Sequence, residues 1–144
     1  MIHLADEEET LALGARLAGK LRAGDVVTLS GGLGAGKTTL VRGLLHALGH
    51  EGEVPSPSFA IVQPYDHLDP PVLHVDLYRL DDPEEVEELG LDDMADGVLL
   101  VEWPEHGPEG RFAHALQLFI SIDEEDGTRR LTWQVPLAWE GRWP

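Results

Sequence analysis

The chain has 144 residues, a length that predicts one domain over 1–144. Ten Lys and Arg against 27 Asp and Glu leave a formal charge of −17, which argues against this chain alone gripping a nucleic-acid backbone. Cysteine is absent, so disulfide and thiolate chemistry are excluded; with no apolar run of about twenty residues and an N-terminus that turns acidic where a leader would be basic, the expected compartment is the cytoplasm, without a membrane span.

Residues 6–22 are predicted as a helix. Asp6 is its N-cap and Glu9, three positions on, completes a capping box. Leu11, Ala15, Ala18 and Arg22 track one stripe with Leu13, Leu17 and Leu21 beside it, and Ala23-Gly24 ends the helix. Residues 25–30 read as a strand and residues 39–48 as a helix stopped at Gly49. Between them lies Gly31-Gly32-Leu33-Gly34-Ala35-Gly36-Lys37-Thr38, which fits G-x-x-x-x-G-K-[ST] in the strand–loop–helix context that a phosphate-binding loop requires.

The residue types follow from the ligand's charge. Backbone N–H groups cradle an anionic tail only where no Cβ blocks the approach, hence the glycines. The helix starting near Gly36 turns its positive end to the phosphates. Lys37 supplies a mobile cation, and Thr38 offers a hydroxyl to Mg²⁺.

Further along, Pro55 and Pro57 hold a connection extended, with Ser56, Ser58 and Phe59 beside them. In nucleotide switches this connection senses the terminal phosphate. Residues 59–63 read as a strand pushed to a sheet edge by Pro64. Residues 72–76 and 97–102 are buried strands, ending in Asp76 and Glu102. Between them Asp82-Pro83 opens a short helix that turns Val86 and Leu89 inward and stops at Gly90. Residues 116–122 and 130–135 flank Asp126-Gly127 as a hairpin. The fold class is α/β: a mixed, mostly parallel central sheet with a C-terminal antiparallel hairpin.

In open α/β sheets, ligands bind beyond the carboxyl ends of the strands. If both buried strands run parallel to the strand before the glycine loop, Asp76 and Glu102 arrive beside the metal. His74 shares the face of Asp76 and reads as a packed or hydrogen-bonded strand histidine in preference to a metal ligand. Trp103 covers a ligand, meets a partner or packs in the core. Residues 81–110 hold twelve acidic side chains and no Lys or Arg, a solvated face or a docking surface for a basic partner.

Four blocks carry a resemblance: Gly34 to Thr39, Ser56-Pro57-Ser58-Phe59, His74 to Leu80, and Val101-Glu102-Trp103-Pro104. In order and spacing the chain resembles the TsaE (YjeE) family over nearly its whole length. The resemblance implies an ATP-binding, weakly hydrolysing P-loop protein needed for threonylcarbamoyladenosine in tRNA, with ATP and Mg²⁺ as cofactors. It implies action on a complex of TsaB and TsaD, with tRNA met only through that complex. Carried over by position, it puts Glu7, Gly32, Leu33, Gly34, Ala35, Gly36, Lys37, Thr38 and Thr39 at the nucleotide. Thr38 and Glu102 would hold Mg²⁺, while Lys37, Asp76 and Glu102 would serve catalysis. Ser56, Pro57, Ser58, Phe59 and Trp103 would form a switch or partner surface. Two departures stand out: Gly32 occupies a position where the family commonly has an acidic residue, and Ser58 replaces a commoner Thr.

Other readings of a P-loop are a small-molecule kinase, a GTPase switch and a non-catalytic, nucleotide-gated assembly module. The first needs an acceptor pocket and a lid, for which the chain leaves little room. The second uses an Asn-Lys-x-Asp guanine reader, and the chain contains no asparagine. The third differs from an ATPase only in lacking turnover.

Overall fold

A computed structural model describes residues 1–32, 34–54, 62–91 and 96–143. Seven strands form one sheet, β1 (Ile2–Leu4), β2 (Val26–Ser30), β3 (Val62–Tyr65), β4 (Val72–Asp76), β5 (Val98–Glu102), β6 (Leu116–Ile122) and β7 (Arg129–Gln134). Their spatial order is β1-β7-β6-β2-β5-β4-β3. The central run β6-β2-β5-β4 is parallel, and only β7 and β3 run against the rest. The sheet is therefore mixed and mostly parallel, as its sequence predicts.

Two helices, α1 (Glu7–Ala18) and α2 (Lys37–Ala47), cover one face. Leu13 and Leu17 of α1 and Leu40, Val41, Leu44 and Leu45 of α2 pack on Val27, Leu29, Leu100, Leu116 and Leu118. On the other face, Leu99 and Val101 of β5 and Val75 of β4 are covered by Leu77, Val86 and Leu91. The strands β4 and β5 are buried on both sides, which is why they read as unbroken apolar runs.

The cap at α1 forms as its sequence predicts: the Asp6 carboxylate accepts from Glu9 N–H at 2.9 Å, and the Glu9 carboxylate accepts from Ala5 N–H. The helix is shorter than predicted, ending at Ala18 rather than near 22. Lys20 and Arg22 belong to a turn, where Arg142 donates to the Lys20 carbonyl at 2.7 Å and Asp25 accepts from Arg22 N–H at 2.6 Å. The buried stripe also differs, running Thr10, Leu13, Gly14, Leu17, Ala18, with Ala15 exposed.

The reason for the shifted stripe is close helix contact. A Cβ on Gly14 would lie 2.1 Å from the Leu40 carbonyl oxygen, and one on Gly43 would lie 2.2 Å from the Leu11 carbonyl oxygen. Each glycine lets the other helix's backbone approach, so α2 and the loop leading into it are fixed against α1.

The predicted edge strand is β3, paired antiparallel to β4 with Pro64 inside it; the start of the predicted strand lies outside the described residues. Asp82 caps residues Pro83–Leu89 as expected, but they wind as a 3-10 helix, with Val86 buried and Leu89 half-buried. The hairpin forms between β6 and β7, closed by Asp123 N–H on the Thr128 carbonyl at 2.8 Å. It is not terminal in the sheet, because β1, absent from the sequence reading, pairs with β7.

Candidate functional site

The register of the central strands assembles the site. β5 lies between β2 and β4, both parallel to it, and Asp76 stands directly opposite Glu102 across the β4–β5 pair. Both carboxylates therefore reach the same end of the sheet as the glycine loop that follows β2. They are nearly inaccessible, at 4% for Asp76 and 2% for Glu102. The parallel register that brings Asp76 and Glu102 together is the condition the sequence reading sets for them.

The loop is shaped by contacts that tolerate no side chain. Gly31 has φ +156°, and a Cβ there would sit 2.4 Å from the Ile120 carbonyl oxygen. Gly36, with φ +105°, opens α2 from a left-handed conformation. Lys37 and Thr38 then occupy the first turn of α2, where unpaired N–H groups and the helix dipole favour an anion.

Lys37 is 5% exposed. Its ammonium donates to the Gly32 carbonyl at 3.0 Å and to the Gly31 carbonyl, and it lies 4.1 Å from the centre of the Trp103 ring. The lysine is held by its own loop and by an aromatic face. Burial pushes its ammonium below the ordinary lysine range, opposed by the negative charges of Glu102, Asp76 and Glu105. Trp103 adopts φ 59°, uncommon for a residue with a side chain. Its N–H donates to the Leu29 carbonyl at 3.2 Å, anchoring this kink to the end of β2.

The Thr38 hydroxyl lies 3.4 Å from each oxygen of Glu102. His74 places Nε2 2.6 Å from Glu102 Oε2, so the histidine is a hydrogen-bonded strand residue, as read. Asp76 accepts from Tyr78 N–H at 2.8 Å. Burial pushes the Asp76 carboxyl above the usual Asp range, against the Tyr78 N–H that favours its anion, and the neighbouring Glu102 charge adds to the rise.

Lys37, Thr38, Asp76, Glu102 and Trp103 line one cleft of about 370 Å³ that begins at Gly34. Tyr78, Arg79 and Arg129 also line it. Arg129 was missed from sequence. It starts β7, yet its Nε donates to the Ala35 carbonyl at 2.7 Å and Nη2 to the Gly34 carbonyl at 3.4 Å. No local pattern marks such a residue, because the contact spans more than ninety positions and depends on β7 joining the sheet.

Of the expected nucleotide contacts, Glu7 and Gly32 do not line the cleft. Glu7 begins α1 and forms an ion pair with Arg42 of α2; Gly32 contributes its carbonyl to Lys37. A Cβ on Gly32 would meet nothing within 4 Å. Leu33 and the expected switch residues Ser56, Pro57, Ser58 and Phe59 lie outside the described residues.

Comparison with known proteins gives one consistent answer. Residues 4–131 match the family model for threonylcarbamoyl adenosine biosynthesis protein TsaE. A Streptomyces coelicolor protein named tRNA threonylcarbamoyladenosine biosynthesis protein TsaE is 48% identical over 127 residues, covering 83% of this chain and 86% of that one. The Haemophilus influenzae protein of the same name is 44% identical over 108 residues, covering 74% and 67%. The crystal structure of Bacillus subtilis YdiB superposes with a TM-score of 0.77 at 34% identity, covering 96% of this chain and 87% of that one.

Proposed function

The chain belongs to the TsaE family of tRNA threonylcarbamoyladenosine biosynthesis, and from that premise we propose that it binds ATP with Mg²⁺ in the cleft between the glycine loop and the ends of β4 and β5. The observation that carries this reading is the meeting of Lys37, Thr38, Asp76 and Glu102 in one cleft at the start of a helix. A triphosphate tail fits its chemistry: loop N–H groups, a helix N-terminus, one buried ammonium and the Arg129 guanidinium.

The donor set also suits Mg²⁺, which prefers hard oxygen ligands. A hydroxyl and a carboxylate 3.4 Å apart provide two such oxygens, from Thr38 and Glu102. When bound, the ion would neutralise charge between the terminal phosphates. The protein's own residues do the rest. Lys37 exchanges its loop carbonyls for phosphate oxygens. Asp76, buried beside Glu102, orients the attacking water or supports the ion's shell. Trp103 covers the cleft over Lys37.

We infer further that turnover is slow for the chain alone and rises on a TsaB–TsaD complex, with tRNA met through that complex. The charge of −17 supports this division of labour, since a strongly acidic chain is a poor direct ligand of RNA. Among the described residues no helix is long and apolar enough to cross a membrane; we place the protein in the cytoplasm as a single 1–144 domain. The test is ATP turnover by the purified chain, alone and with TsaB, TsaD and tRNA. Stimulation by the partners is expected. An unchanged rate would overturn the partner role, and no turnover under either condition would leave a nucleotide-gated assembly module.

A further inference from the structure

We propose that His74 is a positioning residue for Glu102, setting how strongly the site responds to a divalent cation. The inference rests on the reading of Thr38 and Glu102 as cation ligands and goes one residue beyond it.

The geometry is unusual for a core position. His74 is fully buried, on the same face of β4 as Asp76, and stands opposite Leu100, two residues before Glu102 on β5. A carboxylate offers only acceptors, so the proton of the contact belongs to the imidazole. His74 Nε2–H therefore donates to Glu102 Oε2 at 2.6 Å. Its Nδ1 is buried without a partner among the described residues. An apolar side chain would fill the space with no orphaned atom, and burying a polar atom unpaired is unfavourable. The polar contact His74 makes is with Glu102, so that contact is where the histidine acts.

What it does follows from the freedom of a glutamate. The terminal torsion of Glu is broad, with no sharp well to hold the carboxylate plane. Tethering Oε2 to the rigid β4 strand fixes that plane. It is held with both oxygens equally distant from the Thr38 hydroxyl, at 3.4 Å. Mg²⁺ tolerates little departure from its preferred geometry, and partners that orient a metal ligand typically change metal affinity by about 10- to 100-fold.

The test measures binding, not only turnover. A fluorescent ATP analogue is titrated in EDTA and across a Mg²⁺ series, and the Mg²⁺ concentration giving half the full effect is read for each variant. His74→Leu removes the donor. It is expected to raise that midpoint about tenfold while leaving affinity in EDTA within about twofold. His74→Gln can present an N–H near the position of Nε2 and is expected to stay near wild type. His74→Asn, too short to reach Glu102, is expected to shift as His74→Leu does, which keeps the comparison decisive if the leucine variant fails to fold. Equal midpoints for the Gln and Asn variants, or loss of affinity in EDTA by the same factor as in Mg²⁺, would overturn the proposal. Glu102→Ala separates the two levels: if it leaves the Mg²⁺ response intact, the ligand assignment itself fails.

Discussion

Gly43→Ala should destabilise this protein, although helix propensity alone predicts the opposite. In an exposed helix interior, alanine is favoured over glycine by about 1 kcal/mol. Here the added methyl would lie 2.2 Å from the Leu11 carbonyl oxygen, 2.8 Å from Leu11 Cα and 2.9 Å from Leu11 C. All three are backbone atoms of a helix and cannot rotate aside, so α1 and α2 must separate by roughly 1 Å to restore ordinary contact. A gap of that size forfeits a quarter to a half of each contact's attraction along the seam. Overpacking of this kind costs about 1–3 kcal/mol, and three simultaneous backbone contacts argue for the upper end. Subtracting the propensity gain leaves a net loss of about 2 kcal/mol, or roughly 4–8 °C in Tm for a domain of this size. The assay is thermal and urea unfolding without nucleotide, with Gly14→Ala as the reciprocal variant, since its methyl would meet the Leu40 carbonyl oxygen at 2.1 Å. A Gly43→Ala protein as stable as the parent, or more so, would refute the close α1–α2 packing.

Three further outcomes follow from the site. Asp76→Asn should raise Tm at neutral pH while reducing ATP turnover. Because burial lifts the Asp76 pKa above its unfolded value, the native state binds the extra proton, so stability falls as pH rises from about 4; the variant's advantage should vanish on acidification, and an advantage that persists there would contradict the assignment. Arg129→Ala should leave the Gly34 and Ala35 carbonyls without the partner that positions them and weaken ATP about tenfold in a calorimetric titration; unchanged affinity would make Arg129 a bystander. Gly32→Asp, whose side chain enters open space, should change stability by no more than about 0.5 kcal/mol and speed turnover by restoring a carboxylate where the resemblance expects one; slower turnover would show that the position serves no such role.

The parts of this molecule legible in the sequence are those specified locally. The glycine loop carries its own spacing, and β4 ends at Asp76 and β5 at Glu102, as read, because each is an apolar run bounded by a polar residue. The Asp6 and Asp82 caps formed for the same reason. What escaped depends on distant partners. Three residues of β1 carry no periodic signal and become a strand only by pairing with Arg129 to Leu131. On the inward face of α1, Leu13, Leu17 and Ala18 are buried as read, whereas Ala15 is exposed, because Gly14, which has no hydrophobic side chain, is a point of close approach to α2. Arg129 is an unremarked basic residue until β7 folds back beside β6 and carries it to the loop. Glu7 of α1 forms an ion pair with Arg42 of α2, a contact that also depends on the two helices packing together.

In the proposed ATP complex, Lys37 leaves its loop carbonyls to bind the phosphates. Calorimetric titration of ATP with Mg²⁺ into the parent chain and into Lys37→Ala tests it most directly. Saturable binding by the parent is expected, with a loss of at least about tenfold in the variant, the worth of a charge-assisted contact to phosphate. Equal affinity in the two proteins would contradict it.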